Sequence, residues 1–374
     1  MRIDFLLEQA LAPVPGGTGR YSVELAAALA QSADPSDRVR GVTAWHRDLT
    51  AARAAGVPLT RLPLPARGLV LAWEHRSGPR LSRADLVHAP TPLLPPPSRA
   101  PLVVTIHDTV PWTHPETLTP RGVRWHIEMA ERAVEQAAAI AVPSQVVARE
   151  LLGVLPGLEP ARVHVLGAGV SAAFRAEPDP AAVAAAVTAF GLDERPYVLS
   201  LATLEPRKGL DVALAALALT AAGGPVLAIV GQPGWGGLDL VGAAARLGLP
   251  AERVKLLGRV SDPELHLLLR GARALLMPSR AEGFGLPVAE AMAAGTPVIS
   301  SDAPALVEVA GQAALVVARE DAGALAAAIE RVLTEPGLAE SLSAAGRAQA
   351  ASYTWPKVAE RAWALYRSLV RGAN

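Results

Sequence analysis

Short apolar runs rich in β-branched residues alternate along the chain with longer alanine-rich stretches. Runs of four or five apolar residues are typical of strands buried on both faces, and their alternation with helices predicts parallel sheets covered by helices. The pattern therefore predicts the α/β class. In the first half it predicts strands at 3–7, 39–43, 86–88, 102–106, 139–142 and 163–166, and helices at 19–31, 120–136 and 144–155.

The second half repeats this rhythm, so we predict two doubly wound, Rossmann-like domains. Between them runs SAAFRAEPDPAAV, residues 171–183, whose prolines indicate a linker. The predicted domains are residues 1–175 and 176–352, followed by a helix with Pro356 in its first turn. The predicted strands are 197–201, 226–230, 254–256, 274–277, 297–299 and 314–317, and the predicted helices are 210–221, 262–270, 287–294 and 322–334.

Composition narrows the class of protein. The 374 residues are 51% hydrophobic and 19% charged, which suits a globular chain with ample core. Lysine plus arginine balance aspartate plus glutamate at 35 each, so no strong basic field argues for a nucleic-acid partner. The absence of cysteine excludes disulfides and thiolate metal sites and suits a reducing compartment.

The sequence also bears on location. The start reads as a strand and a loop rather than a signal peptide, and no run of about 18 apolar residues predicts a membrane span. We therefore expect a cytoplasmic protein. Arg121, Arg124 and Trp125 begin a predicted helix and leave two interpretations open, a peripheral contact with the inner membrane face or a solvated surface.

Ligands of open parallel sheets bind beyond the carboxyl ends of the strands, so the loops there are the candidates for chemistry. The first, LAPVPGGTGRY, holds Gly17 beside other glycines and lets the backbone approach a ligand, or forms a tight turn only. It fails the dinucleotide pattern G-x-G-x-x-G at Ser22. In TIHDTVPW, His107 can orient a hydroxyl or accept a proton, or it caps the loop together with Asp108. His88 is a weaker candidate of the same kind.

Two loops of the second half carry stronger signals. In LATLEPRKGL, Arg207 and Lys208 stand at a helix start, where cations oppose the helix dipole, and this placement favours a diphosphate site. In SRAEGFGLPVAEAMAAGTPVIS, Glu282 and Glu290 flank a glycine-rich turn, with seven residues between them. Two acceptors around a row of backbone donors suit a polyol joined to a phosphate. The alternative is an acidic helix N-terminus, which leaves the glycines unexplained.

These segments resemble the family 4 glycosyltransferases, which have the GT-B fold of two Rossmann-like domains with parallel sheets facing a central cleft. The E-x7-E stretch is specific, and further segments agree in order, among them GGTGRYSVELAAAL, VVTIHDTVPW, LEPRKGLDVALAAL and YTWPKVAERAWALY. The resemblance implies retaining transfer of a sugar from a nucleotide-sugar bound by the C-terminal domain. It implies that the N-terminal domain binds the acceptor and includes the last helix, from about 353 to 374.

The resemblance also implies roles. Glu290 would bind the ribose, Glu282 the donor sugar, and Arg207 with Lys208 the diphosphate, while His107 would lie beside the anomeric centre. The LGRV run would lie near the base. The implied catalytic residues are His107, Arg207, Lys208 and Glu282, and the implied donor-binding residues are Gly17, Arg207, Lys208, Arg259, Val260, Glu282, Gly283, Phe284, Gly285, Leu286 and Glu290.

One departure bears on the donor. Many members have arginine where this chain has Thr203, and Arg207 would supply the second cation. LEPRKG resembles bacterial mannosyltransferases of polysaccharide assembly, which favours GDP-mannose and leaves UDP- and dTDP-sugars open. No Asp-x-Asp triplet occurs, so we expect no metal and no cofactor besides the donor. The acceptor is expected to be a glycan, a lipid-linked sugar or a small molecule.

Other functions stay open at this point. The same fold suits a sugar-nucleotide epimerase, a synthase of a soluble disaccharide, or a non-catalytic subunit that binds sugar nucleotides. The failed glycine pattern disfavours an NAD-dependent dehydrogenase.

Overall fold

A computed structural model of the protein describes residues 1–81, 83–234 and 236–372. The chain divides into two compact units. The N-terminal unit comprises residues 1–115, 120–169 and the chain from 354 onward, and the C-terminal unit comprises 116–119 and 170–353. No helix among the described residues is both long enough and apolar enough to cross a membrane.

The described part of the N-terminal unit has one parallel sheet of seven strands, ordered β3-β2-β1-β4-β5-β6-β7. Its buried apolar side chains form the unit's core. The strands are β1 (Arg2–Leu6), β2 (Arg38–Trp45), β3 (Leu59–Pro65), β4 (Leu86–Ala89), β5 (Leu102–Thr105), β6 (Ala139–Val142) and β7 (Val163–Val165). The helices are α1 (Gly16–Gln31), α2 (Thr50–Arg53), α3 (Ala66–Glu74), α4 (Val110–Thr113), α5 (Pro120–Gln136) and α6 (Gln145–Val154).

The C-terminal unit has a parallel sheet of six described strands, ordered β10-β9-β8-β11-β12-β13. Apolar side chains pack against both of its faces. The strands are β8 (Tyr197–Leu201), β9 (Val226–Val230), β10 (Val254–Gly258), β11 (Ala274–Met277), β12 (Val298–Ser301) and β13 (Leu315–Val317). The helices are α7 (Pro180–Ala189), α8 (Leu210–Leu219), α9 (Leu240–Arg246), α10 (Asp262–Gly271), α11 (Leu286–Ala294), α12 (Pro304–Ala310), α13 (Ala322–Thr334) and α14 (Leu338–Ala350).

The predicted α/β class with two Rossmann-like sheets is confirmed. The sequence pattern did not predict β3, whose two prolines argue against a strand. β3 is an edge strand, where a missing N–H donor is tolerated.

The predicted linker at 171–183 is partly wrong. Its second proline, Pro180, opens α7, and the Asp179 side chain caps that helix by accepting the Ala181 N–H at 2.9 Å. Proline is common at the first position of a helix, because the N–H that it lacks would have no partner within the helix there. Phe174, in the same stretch, is buried in the C-terminal unit's core.

The chain enters and leaves the main part of the C-terminal unit, residues 170–353, at two neighbouring points. The C-terminal unit begins at Val170, whereas the sequence pattern placed the boundary near 176. The Val170 N–H donates to the Tyr353 carbonyl at 3.0 Å, so the entry and exit of this unit are joined. The last helix, α15 (Trp355–Gly372), packs on the N-terminal unit, where the Trp363 indole donates to the Leu29 carbonyl at 3.2 Å.

Candidate active site

The strand order of the C-terminal unit places two distant loops side by side. β8 pairs with β11, while the chain continues from β8 to β9 on one side and from β11 to β12 on the other. Such a switch point leaves a crevice beyond the carboxyl ends of the two strands. The loop after β8 carries Arg207 and Lys208, and the loop after β11 carries Glu282.

The three charged residues form one ion cluster. Lys208 Nζ donates to Glu282 Oε1 at 2.6 Å, and Arg207 Nη1 donates to Glu282 Oε2 at 3.1 Å. Arg207 Nη2 also donates to Glu205 Oε1 at 2.7 Å. The side chains of Glu282, Lys208 and Arg207 are only 8%, 13% and 15% exposed. Residues far apart in sequence therefore share one shielded charge network.

Glu282 is held as a carboxylate. Burial by itself raises the pKa of a carboxyl group, but the positive charges of Lys208 and Arg207 and their hydrogen bonds outweigh it and lower the pKa of Glu282 to about 2. Ser279 adds to this effect because its Oγ donates to Glu282 Oε1 at 2.8 Å.

This shift predicts a pH dependence of stability. The pKa of Glu282 in the folded protein lies below its ordinary value of 4.5. Its contribution to the free energy of unfolding is therefore present above pH 4.5 and is lost as pH falls toward 2. Over this whole pH range the loss of unfolding free energy from this group is about 3 kcal/mol. We expect wild type to lose more unfolding free energy than Glu282→Gln between pH 5.5 and 3 in urea titrations. Parallel losses in the two proteins would contradict this assignment.

Two further features fix the loop that carries Arg207 and Lys208. Gly209, which follows Lys208, has φ +65°, and a Cβ there would lie 2.1 Å from the Pro278 carbonyl oxygen. The Arg280 backbone N–H donates to the Arg207 carbonyl at 2.8 Å. The Arg280 guanidinium donates two hydrogen bonds to the Asp211 carboxylate, at 3.0 and 2.8 Å. The loops after β8 and β11 are thus joined through backbone as well as charge.

The glycine-rich turn leads directly into α11. Gly285 has φ +100° and immediately precedes the helix, which begins at Leu286, one residue before the predicted start. Phe284 packs edge-on against Tyr353, with ring centroids 5.5 Å apart. Glu290 lies in the second turn of α11 and is 2% exposed, so both glutamates of the motif are shielded from solvent.

The remaining candidates of this unit lie farther along the sheet. Arg259 and Val260 follow β10, which is separated from β8 by β9. Arg259 is exposed and Val260 is partly buried. Their suggested role beside a base stays a prediction.

A cavity of about 1070 Å³ lies in the N-terminal unit. Its lining includes residues that follow β1, β2, β4 and β5, among them Glu8, His46, Thr91 and His107. β1 and β4 are adjacent although the chain runs from β1 to β2, so this unit has its own switch point. Gly17 lies in the first turn of α1, which begins at Gly16 rather than at the predicted residue 19. The glycines predicted to form a loop therefore open the helix.

His107 lines the cavity as a neutral imidazole. Its Nε2 lies 2.7 Å from the Pro90 carbonyl oxygen, and since a carbonyl only accepts, Nε2 carries the proton and Nδ1 is the acceptor. Burial lowers the pKa of His107, and the Pro90 carbonyl and the Asp108 carboxylate oppose this effect in part. The ring packs edge-on against Tyr21 at 4.8 Å. This arrangement suits acceptance of a hydroxyl hydrogen bond.

His88 has a structural role, unlike the weak functional one suggested by its position. It is fully buried, with Nδ1 2.5 Å from Tyr366 Oη on α15 and Nε2 2.8 Å from Thr105 Oγ1. Burial, with a smaller contribution from His107, lowers the pKa of His88 to about 3. It joins α15 to the sheet.

The buried His88 predicts acid sensitivity of this unit. Because the pKa of His88 is lowered, its contribution to the free energy of unfolding is complete above pH 6.5. That contribution is lost as pH falls toward 3, by about 1.4 kcal/mol per pH unit. We expect wild type to be about 1 kcal/mol less stable at pH 5.5 than at pH 7.5 through this group, measured by urea unfolding. His88→Gln should be less stable at pH 7.5 and should lose less between the two pH values. An equal loss in the variant would contradict the assignment.

Sequence reasoning missed a pair that lines the cavity. Glu8 Oε1 lies 2.8 Å from His46 Nε2, and Glu8 Oε2 accepts the Ala44 N–H at 2.7 Å. The two side chains are 38 positions apart, and only the pairing of β1 with β2 brings them together. Ser279 and Glu205 were missed for the same reason, since their partners are defined by the fold.

Comparison with known proteins agrees with the geometry. The family described as Glycosyl transferases group 1 matches residues 187–349, and Glycosyltransferase Family 4 matches residues 15–174. The O-antigen chain mannosyltransferase B of Escherichia coli is 36% identical over 163 residues, which are 42% of each chain. The D-inositol 3-phosphate glycosyltransferase of Jonesia denitrificans is 33% identical over 281 residues, 71% of this chain and 66% of that protein.

The alignments thus span 42% and 66% of the length of these two relatives. Among solved structures, Anabaena HepE in complex with UDP and glucose superposes with a TM-score of 0.78, at 20% identity over 98% of this chain and 100% of that one. This superposition shows a shared GT-B fold. Together, the two family matches, the sheet topology and the E-x7-E motif show that the chain belongs to glycosyltransferase family 4.

Proposed function

We propose that the protein is a retaining glycosyltransferase that moves a sugar from a nucleotide-sugar to a hydroxyl-bearing acceptor, without a metal ion. The observation that carries this proposal is the cluster of Arg207, Lys208 and Glu282 at the switch point between β8 and β11. It sets two cations and a carboxylate beside a glycine-rich turn, which suits a diphosphate joined to a sugar.

The charge balance of the cluster suggests how the donor binds. The charges of Arg207 and Lys208 are balanced by Glu205 and Glu282. A lysine ammonium has three N–H donors, and the bond to Glu282 uses one of them. A diphosphate would compete for the cations and free Glu282 to accept hydrogen bonds from sugar hydroxyls. Arg207 and Lys208 would stabilise the charge on the departing diphosphate, in the place of a metal.

GDP-mannose is the donor we favour. The LEPRKG segment and the similarity to an O-antigen mannosyltransferase support it. The similarity to D-inositol 3-phosphate glycosyltransferases makes other donors necessary comparisons in any binding experiment. In this proposal Glu290 binds the ribose.

The proposed reaction keeps the anomeric configuration by attack on the face from which the diphosphate leaves. The bond from the anomeric carbon to the phosphate oxygen breaks through an oxocarbenium-like state, and the bond to the acceptor oxygen forms. The departing phosphate oxygen takes the acceptor's proton. His107 would orient the hydroxyl through Nδ1. A glycosyl-enzyme intermediate trapped on a carboxylate and detected by mass spectrometry would overturn this route.

Binding can be tested by thermal shift and calorimetry with GDP-mannose, UDP-glucose, UDP-GlcNAc and dTDP-rhamnose. One donor at about 100 times its Kd should stabilise the protein by about 2.7 kcal/mol. The matched variant is Lys208→Met/Glu282→Gln, which removes one charge of each sign. It should lose the shift while staying folded.

Turnover separates the remaining functions. Transfer of the sugar to an acceptor, with release of nucleoside diphosphate, supports the proposal. Donor binding without any turnover would favour a non-catalytic subunit, and conversion of the free sugar nucleotide would favour an epimerase. Binding of none of the four donors would overturn the proposal.

A further inference from the structure

The cavity of the N-terminal unit is chemically divided. Four of its polar residues, Glu8, His46, His107 and Asp108, follow the carboxyl ends of strands. A ligand part that reaches them meets carboxylates and imidazoles suited to hydroxyl groups.

The wall formed by helices has a different character. Val70 and Leu71 on α3, Trp112 on α4, and Trp125 and Ala130 on α5 contribute apolar surface to the same cavity. Charged residues of α3 and α5 that line it stand in the first or last turns of these helices. They are Arg67, Glu74 and Arg121. The polar His126 follows Trp125 on α5, and its Nδ1 lies 2.8 Å from the Gly122 carbonyl oxygen of the same helix.

Leu71 is the informative member of this wall, because it is 57% exposed although it lines the cavity. An exposed leucine alone is common on protein surfaces. Here it lines, together with Trp112 and Trp125, a cavity of about 1070 Å³, which exceeds what a single sugar ring requires. A wholly hydrophilic ligand would leave this wall without a partner.

We propose that the acceptor is an amphiphile, with a hydroxyl-bearing head at the strand ends and an apolar chain or ring along α3 and α5. This inference rests on the proposed function, since it assigns the acceptor of that reaction. It narrows the acceptor from any glycan or small molecule to one with an apolar portion.

The Glu8–His46 pair is suited to hold the head. A carboxylate can only accept, so the contact of 2.8 Å places a proton on His46 Nε2. Nδ1 can then bond to a hydroxyl group, which both donates and accepts. Together with Nδ1 of His107, the cavity then has two imidazole nitrogens that can bond to hydroxyl groups.

The test measures binding of methyl, hexyl and octyl α-mannosides below their micelle concentrations, by calorimetry and by tryptophan fluorescence. Each added methylene that enters the apolar wall should tighten binding, so octyl should bind at least about tenfold more tightly than methyl. Leu71→Ser should reduce the octyl advantage by about threefold or more and leave methyl binding unchanged. Phenyl mannoside distinguishes a ring-shaped apolar portion from a chain.

Leu219→Ser is the matched control. Leu219 is 62% exposed, lies on α8 of the C-terminal unit and is not among the residues that line this cavity. It should bind every probe as wild type does. Equal affinities of methyl and octyl mannosides would overturn the inference. So would equal effects of Leu71→Ser and Leu219→Ser.

Three further outcomes separate the amphiphile inference from the transferase proposal on which it rests. If a sugar nucleotide binds and is turned over but chain length has no effect, the amphiphile inference fails and the transferase proposal stands. If Leu71→Ser weakens binding to anionic vesicles while octyl binding is unchanged, Leu71 contacts a lipid surface and the inference is wrong. Octyl binding that depends on Leu71, without binding of any donor, would support the cavity assignment and remove the transferase proposal.

Discussion

Replacement of Lys208 by methionine is expected to destabilise the C-terminal unit by about 2–4 kcal/mol and to abolish donor binding. Lys208 lies 2.6 Å from the buried carboxylate of Glu282 and is itself only 13% exposed. Removing the lysine leaves that carboxylate with one of the two ion pairs described above, the one to Arg207. Thermal unfolding should show the loss as a Tm several degrees lower.

The loss of folding and the loss of function can be separated. Adding Glu282→Gln to Lys208→Met removes the stranded charge, so most of the lost Tm should return. Donor binding should not return, because the ammonium proposed to bind phosphate and the carboxylate proposed to bind the sugar are both absent. Recovery of donor binding in the double variant would show that the cluster stabilises the fold only. Failure of Tm to recover would contradict the ion-pair account of the destabilisation.

Gly209→Ala is expected to be comparably severe. The residue has φ +65°, and its new Cβ would lie 2.1 Å from the Pro278 carbonyl oxygen, a backbone atom that cannot move aside alone. We expect a loss of about 3 kcal/mol or more of unfolding free energy. Because Pro278 begins the loop that carries Glu282, the shift should also weaken donor binding in whatever protein remains folded.

Gly248→Ala provides the control for backbone conformation. Gly248 has φ +71° in the same unit, and a Cβ there would meet no atom within 4 Å. Gly248→Ala should lose only about 1–2 kcal/mol of unfolding free energy, because alanine is strained in the left-handed conformation. Its donor affinity should be unchanged. Urea unfolding of the two variants isolates the clash as the difference between them. Equal losses would show that no clash occurs at Gly209.

The sequence pattern predicted most strands within a residue or two, because buried parallel strands read as short apolar runs. It failed where a local signal had two meanings. Pro63 and Pro65 argued against a strand that forms at the sheet edge, and Pro180 suggested a linker where it begins α7. In each case the position of the proline within the element decided its effect.

The candidate site was likewise predictable from the sequence only in part. Glu282, Lys208 and Arg207 were visible as a glycine-flanked carboxylate and a misplaced pair of cations. Their mutual ion pairs were not visible, since Lys208 and Glu282 are 74 positions apart. The roles suggested for Arg259 and Val260 stay predictions. Ser279 offered no signal of its own, because a serine matters here only through the carboxylate to which it donates.

By itself, the sequence determined the order of strands and helices, the loops that hold charge and glycine, and the family. These properties arise from side-chain periodicity and turn chemistry acting over about ten residues. The tertiary structure alone decided that β8 lies beside β11, that Glu282 is shielded between two cations, and that Glu8 meets His46. Such pairings depend on the lateral order of strands in a sheet, which is set by the packing of whole elements rather than by any local stretch of chain.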